Sequence, residues 1–224
     1  MRYYPVFLDV MGKHCLVIGG GKVGTRKAKM LFRCGAIVTA VSPVFSETLT
    51  TFAEQHPLIL KKKEYDRSDI EAAFIVVATT DDKALNLRIK NDAETLNILC
   101  NISDQPEESD FLVPSVVSRG DLSIAISTNG KSPALAKKLR QDLEKEFGSE
   151  YAEFLSLMGN LREKLLHESH DPDTHRTIFE DLIQKGLLDL IRKGNTAKVD
   201  SLLYEATGKA YRMSDLIFDS QSKS

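Results

Sequence analysis

The stretch that decides the fold is KHCLVIGGGKVGTRKAKMLFRCG, residues 13–35. Residues 15–18 form a short apolar run with the length of a buried strand, and a helical pattern follows the glycines as far as Cys34. Gly35 is a natural end for that helix. Three glycines between the strand and the helix have the G-x-G-x-x-G spacing: Gly19, Gly21 and Gly24. The stretch therefore predicts a β-α unit that binds a dinucleotide.

The glycines suit this role for three separate reasons. Gly19 allows a tight turn, Gly21 lets a pyrophosphate approach the backbone, and Gly24 lets the helix lie close to the strand. The free N–H groups and the dipole of the helix N-terminus attract the anion. A glycine-rich turn that only packs is the alternative, but the flanking strand and helix favour nucleotide binding. Four basic residues lie mostly off the apolar face of the helix: Arg26, Lys27, Lys29 and Arg33.

The amino-acid composition limits the classes to which this protein can belong. The chain has 224 residues, of which 42% are hydrophobic and 28% charged, as expected for a soluble globular protein with one or two domains. Its net charge of −2 gives no electrostatic reason to expect nucleic acid or a membrane surface as a partner. No apolar run approaches the roughly 18 residues of a membrane span, and no signal-peptide core opens the chain. Three cysteines without paired spacing indicate buried thiols and a cytoplasmic location.

Strands and helices alternate along the first half of the chain. Further apolar strands are predicted at 36–41, 58–60, 74–78 and 98–100, after a short edge segment at 3–9. Ser46 is expected to cap a helix to residue 55, and Asp81 or Asp82 one to residue 94. Unbroken apolar strands in this order predict a parallel sheet covered on both faces. Ligands bind such a sheet at the edge formed by the carboxyl ends of its strands.

That edge carries most of the polar candidates. They are Gly19–Gly24, Ser42-Pro43-Val44, Thr79-Thr80-Asp81 and Asn101-Ile102-Ser103-Asp104. Ser42 stands where an acidic residue usually binds the adenosine ribose, and its hydroxyl can bind a ribose hydroxyl instead. No Arg or Lys closely follows the second strand, so the sequence favours NAD over NADP.

The pattern changes after Asp110. Residues 111–117 and 122–127 flank a turn and predict a hairpin, and Ser132-Pro133 begins a helix to residue 147. Further helices are predicted at 150–166, 173–185, 187–193 and 196–206, with frayed residues at 219–224. A lone hairpin is rarely stable without further packing, so we expect a homodimer built on this region. The predicted regions are a nucleotide-binding domain at 1–110, a dimerisation module at 111–147 and a helical domain at 148–224.

Four motifs in order resemble the precorrin-2 dehydrogenase family of sirohaem biosynthesis. They are GGGKVGTRKA (19–28), VVATTDD (76–82), CNISDQP (100–106) and FLVPSVVSRGDLSIAISTNGKSPALAKKLR (111–140). The resemblance implies a Rossmann-type α/β sheet, a small α+β dimerisation module and a helical C-terminal region. It also implies NAD-dependent oxidation of precorrin-2 to sirohydrochlorin by a cytoplasmic homodimer. Some members of the family also insert iron, so chelatase activity is an alternative here.

The resemblance assigns site residues by position. The nucleotide contacts fall on Gly21, Lys22, Val23, Pro43, Val44 and Thr80, and the key carboxylate falls on Asp104. Asp104 can act as a base or orient the ring N–H groups of the substrate; the alternative is that it caps the turn before Pro106. Thr128 stands where some relatives carry a regulatory serine, which puts such regulation in doubt here.

The substrate implied by the resemblance carries eight carboxylates, so cations and hydrogen-bond donors are needed to bind it. The candidates for donors are Ser127, Thr128 and Asn129, and the candidates for cations are Arg119, Lys131, Lys137, Lys138 and Arg140. Each of these cations can equally be an ordinary solvated surface charge.

No metal site is predicted, because His167 and His170 are best explained as solvated side chains. A different class of function stays open as well, in which the module senses NAD and performs no chemistry.

Overall fold

The computed structural model of the chain describes residues 2–168 and 171–217, so the predicted frayed segment 219–224 and His170 lie outside the described residues. The chain divides into two compact units. The first comprises residues 1–113 with 129–131, and the second comprises residues 114–128 with 132–224. In the described part of the chain no helix is both long and apolar enough to cross a membrane.

The first unit is built on a parallel five-stranded sheet in the order β3-β2-β1-β4-β5. Its strands are β1 (His14–Gly20), β2 (Ile37–Phe45), β3 (Ile59–Lys62), β4 (Ile75–Ala78) and β5 (Leu99–Ile102). Its helices are α1 (Lys22–Arg33), α2 (Glu47–Gln55) and α3 (Lys83–Thr95). The order reverses beside β1, which is the arrangement of a Rossmann-type sheet. The predicted α/β class is therefore confirmed.

Two apolar layers cover this sheet. Val17 and Val38 pack with Leu49 of α2 on one face, whereas Leu16 and Val76 pack with Ile89 of α3 on the other. Neighbouring residues of one strand are thus buried on opposite faces. This is why the strands read as continuous apolar runs and not as an alternation of apolar and polar residues.

Some boundaries differ from the predictions. Residues 3–9 form no strand, because Pro5 lacks an N–H group and the segment pairs with no neighbour in the described chain. β2 runs on to Phe45, which pairs with Gly20 after a register shift, so Ser42 lies within the strand and not after it. Cys34 is exposed at the end of α1, which corrects the prediction of three buried thiols.

The second unit contains an antiparallel hairpin and a group of helices. Its elements are β6 (Ser115–Arg119), β7 (Leu122–Ile126), α4 (Pro133–Glu146), α5 (Glu150–Glu168), α6 (Pro172–Gln184), α7 (Leu187–Arg192), α8 (Thr196–Thr207) and α9 (Met213–Ile217). Ser132 caps α4 as predicted, through a bond from the Leu135 N–H. The short α9 was not predicted. Leu157, Leu161 and Leu203 are fully buried in the core of these helices.

The helix α1 lies very close to the strand β1. A Cβ atom added to Gly24 would lie 2.0 Å from the carbonyl oxygen of Gly19. A Cβ atom added to Gly19, whose φ is +114°, would lie 2.6 Å from the Thr79 hydroxyl. Only glycine fits at these two positions without moving the backbone, which confirms the packing role predicted for Gly24.

We predict that Gly24→Ala lowers the free energy of unfolding by about 2 kcal/mol, because the added methyl group forces α1 away from β1. Gly159→Ala is the matched control. Gly159 lies inside α5 with open space around it, so alanine there should stabilise the protein by about 0.5 kcal/mol or more. Thermal melting followed by circular dichroism measures both; equal melting temperatures for wild type and Gly24→Ala would contradict the prediction.

Candidate functional site

The turn between β1 and α1 is open on the side that a ligand would approach. Gly21 is the N-cap of α1, and a Cβ atom added to it would meet no atom within 4 Å. No side chain in the described chain caps this helix, and its first turn contains no acidic residue. The N–H groups of the first turn therefore remain available to an anion, as predicted for Gly21, Lys22 and Val23.

Three further residues shape this turn and were not among the predicted nucleotide contacts. A Cβ atom on Gly20 would lie 2.2 Å from the Val44 carbonyl oxygen. The buried Thr25 hydroxyl donates to the Gly21 carbonyl oxygen at 2.9 Å and lies 2.8 Å from the Ser46 hydroxyl. Ser46 in turn donates its N–H to the Gly20 carbonyl oxygen at 2.9 Å. The glycine turn is thus tied to the start of α2.

The end of β2 presents two of its three predicted nucleotide contacts to solvent. Pro43 is exposed, and Val44 retains 72% of its accessible surface. Ser42 is buried, and its hydroxyl donates to the Val44 carbonyl oxygen at 2.8 Å. Its proton is therefore engaged, and its oxygen is left as an acceptor for a ribose hydroxyl.

Thr80, the predicted contact at the end of β4, is held by a buried amide. Its hydroxyl lies 2.7 Å from Asn86 Oδ1, and Asn86 Nδ2 donates to the Thr80 carbonyl oxygen at 2.9 Å. Asn86 is only 3% exposed. Asp82 caps the following helix, α3, by accepting from the N–H groups of Ala84 and Leu85.

Asp104 lies in the turn after β5 with its side chain exposed. Its φ of +65° is in the left-handed region, which Asp and Asn adopt more readily than most residues. The preceding residue, Ser103, donates its N–H to the Ala78 carbonyl oxygen at 2.9 Å. Ser103 Oγ is buried, with no hydrogen-bond partner among the described residues. Thus the turn of Asp104 is bound directly to the end of β4.

Lys27 is a further residue near this edge of the sheet that the sequence analysis did not assign to the site. It lies two positions from Thr25, on the opposite flank of α1, and it is partly buried. Burial lowers the pKa of its ammonium group from 10.5 to about 8. The neighbouring Arg26 lowers it as well, whereas the carboxylate of Asp104 raises it. A lysine and a carboxylate therefore interact at this edge of the sheet.

The predicted substrate residues divide between the two units. Ser127 and Thr128 belong to the second unit, and the Thr128 hydroxyl accepts the Ser132 N–H at 3.1 Å. Asn129 and Lys131 belong to the first, where both are exposed.

The remaining cationic candidates lie in the second unit, and three of the four have partners there. Arg119 donates to the carbonyl oxygens of Glu144 and Phe147 at the end of α4, so it has a structural role. Lys138 pairs with Asp142, and Arg140 pairs with Glu144. Lys137 is exposed. Within the ranges that the structure describes, no three His, Cys, Asp or Glu residues are placed to hold a metal ion.

The glycine turn at the carboxyl edge of a parallel sheet defines a dinucleotide-binding α/β protein. Residues 6–115 match a family model described as NAD(P)-binding, and residues 119–146 match one described as the central part of a sirohaem biosynthesis protein. The chain is thus similar to the precorrin-2 dehydrogenases and to the N-terminal region of sirohaem synthases.

Individual relatives agree with this assignment. Siroheme synthase of Hydrogenovibrio crunogenus is 32% identical over 206 residues, which are 91% of this chain and 44% of that protein. Siroheme synthase 2 of Yersinia enterocolitica is 34% identical over 183 residues, 82% of this chain and 39% of that one. The chain thus spans less than half the length of these relatives. The solved structure of SirC, precorrin-2 dehydrogenase, superimposes with a TM-score of 0.74 at 26% identity, covering 92% of this chain and all of SirC.

We predict that Gly21→Asp abolishes nicotinamide nucleotide binding, because a carboxylate would occupy the space of the pyrophosphate and repel it. The melting temperature of the ligand-free protein should change little, since the position is open. Isothermal titration with the nucleotide measures the binding. Gly21→Ala, which adds bulk without charge, should weaken binding less; undiminished binding by Gly21→Asp would place the nucleotide elsewhere.

The low pKa of Lys27 predicts a pH-dependent cost in stability. The unfolded chain keeps the proton up to about pH 10.5, whereas the folded protein releases it near pH 8. Between these values the unfolded state binds more protons, so the contribution of Lys27 to stability becomes less unfavourable as the pH rises. Lys27→Met should therefore raise the melting temperature at pH 7, and the gain should shrink towards pH 10.

The exposed Lys137 provides the control for this measurement, since Lys137→Met should show no such trend. A Lys27→Met protein that is less stable than wild type at pH 7 would contradict the prediction.

Proposed function

We propose that the chain oxidises precorrin-2 to sirohydrochlorin with NAD in sirohaem biosynthesis. The observation that carries this proposal is the position of Asp104 at the same sheet edge as the open turn at Gly21. The match to SirC along nearly the whole chain supports it.

The residues at the glycine turn fit a nicotinamide nucleotide. Gly19, Gly21 and Gly24, with the N–H groups of Lys22 and Val23, would hold its pyrophosphate. Pro43 and Val44 are exposed where the adenosine would lie, with Ser42 Oγ beneath them as an acceptor. Thr80 would lie towards the nicotinamide.

NAD is the proposed cofactor. NADP is the alternative, because the fold places a lysine beside Ser42. Lys62 is the register partner of Ser42 across β2 and β3, so the fold brings a cation to this position that the local sequence does not suggest. Lys61 and Lys63 are both paired with Asp69. Comparing turnover with the two nucleotides decides between them; a strong preference for NADP would assign Lys62 to its 2′-phosphate.

The reaction removes one hydride and one proton from the substrate. When bound, NAD⁺ accepts the hydride. Asp104, exposed and without a hydrogen-bond partner in the described chain, is the group proposed to accept the proton. The ammonium group of Lys27 lies near enough for its charge to interact with this carboxylate.

We predict that Asp104→Asn lowers kcat about 100-fold or more while the affinity for NAD⁺ stays within about twofold. Asparagine tolerates the left-handed backbone of this position, so a folding defect is not expected. Formation of NADH from enzymically prepared precorrin-2 gives the rate, and isothermal titration gives the affinity. Asp121→Asn, in the exposed hairpin turn, is the matched control. Equal losses of turnover and of NAD⁺ affinity would remove the proposed chemical role.

The assay with enzymically prepared precorrin-2 also tests two other functions. A module that only senses NAD would bind the nucleotide and form no NADH from precorrin-2. A bifunctional enzyme would in addition insert Fe²⁺ or Co²⁺ into sirohydrochlorin, which absorbance spectroscopy follows directly.

A homodimer and a cytoplasmic location complete the proposal. Leu135 and Leu139 lie one turn apart on α4 and retain 49% and 40% of their surface, which favours a second copy of the chain as the covering partner. Sedimentation equilibrium measures the oligomeric state.

A further inference from the structure

A cavity of about 410 Å³ lies in the first unit, beside the turn that follows β5. It is lined by Arg2, Tyr3, Pro106, Glu107, Asn129, Gly130 and Lys131. One of these residues, Pro106, follows the proposed proton acceptor Asp104 by only two positions in the chain. None of the nucleotide contacts proposed above lines it.

The guanidinium group of Arg2 contacts two other residues that line the cavity, Glu107 and Tyr3. Its Nη2 donates to the Glu107 carbonyl oxygen at 3.1 Å, and its Cζ lies 5.2 Å from the centre of the Tyr3 ring. The Tyr3 hydroxyl donates to the Pro106 carbonyl oxygen at 2.9 Å. A guanidinium group has five N–H donors, so most of them remain for a ligand, and its orientation is already set.

Lys131 reaches the same cavity through a tight turn. Asn129 and Gly130 both have left-handed backbones, with φ of +53° and +78°. A Cβ atom on Gly130 would lie 2.9 Å from Cγ of Pro106, so glycine allows this turn to lie directly against the turn after β5. The loop that carries Lys131 is thereby held at the cavity wall.

The lining has an excess of positive charge, because it contains Arg2 and Lys131 but only one acidic residue, Glu107. A guanidinium and an ammonium group in one cavity suit a carboxylate. We propose that this cavity is a subsite for the carboxylate side chains of the tetrapyrrole substrate, with Arg2 as a binding residue alongside Lys131. The inference rests on the proposed function, since it assigns the cavity to that substrate.

The test compares Arg2→Gln and Lys131→Gln with Arg33→Gln, which removes a charge from the exposed far end of α1. We expect Arg2→Gln to raise the KM for precorrin-2 about fivefold with kcat within about twofold, since one charge-assisted contact is lost from a partly solvated site. Lys131→Gln should act in the same direction, and Arg2→Lys, which keeps the charge and loses the planar fork, should fall between. Arg33→Gln should match wild type.

Binding of the product provides a readout that does not depend on turnover. Equilibrium dialysis with sirohydrochlorin should show about fivefold weaker binding by Arg2→Gln and unchanged binding of NAD⁺. Wild-type KM and wild-type sirohydrochlorin affinity in Arg2→Gln would overturn the subsite while leaving the proposed function intact. A wild-type protein that neither binds sirohydrochlorin nor oxidises precorrin-2 would overturn the function itself.

Discussion

The contact on which the rest of the structure depends is the one between Gly24 and the Gly19 carbonyl oxygen, where no side chain intervenes. It allows α1 to begin directly above the carboxyl end of β1. The close approach of the two backbones thus sets the direction of the free N–H groups at the start of α1. The contact between the buried Thr25 and Ser46 ties this turn to the start of α2.

The parallel sheet explains why the candidate site residues lie at one edge. Its central strands, β1 and β4, are buried on both faces, so polar side chains are found mainly after the ends of these strands. Lys27 shows that this arrangement has a cost in free energy. Burial lowers the pKa of its ammonium group, whereas the neighbouring Asp104 raises it. A partly buried lysine with a lowered pKa is common where a protein retains a group for chemistry and accepts lower stability.

Features encoded in adjacent residues could be predicted from the sequence. The glycine turn, the parallel sheet, the cap at Ser46 and the helix beginning at Pro133 all follow from local patterns. The missed features depend on distant partners. Lys27 interacts with the charge of Asp104, which follows it by 77 positions in the chain. Arg119 donates to the Glu144 carbonyl oxygen in α4, 25 positions later. Arg2 meets Glu107 across more than a hundred positions, so no local pattern could have marked it as part of a site.

The left-handed backbone at Asp104 limits how this position can evolve. Asparagine and glycine can replace the aspartate with little strain, whereas longer or branched side chains meet an unfavourable backbone. A lineage can therefore lose its acid here through a single substitution and keep an intact main chain. Replacement by the homologous glutamate, which would carry the carboxylate further out, is the costlier route. Loss of the acid at this position is consequently easier to reach than its replacement by a longer acid.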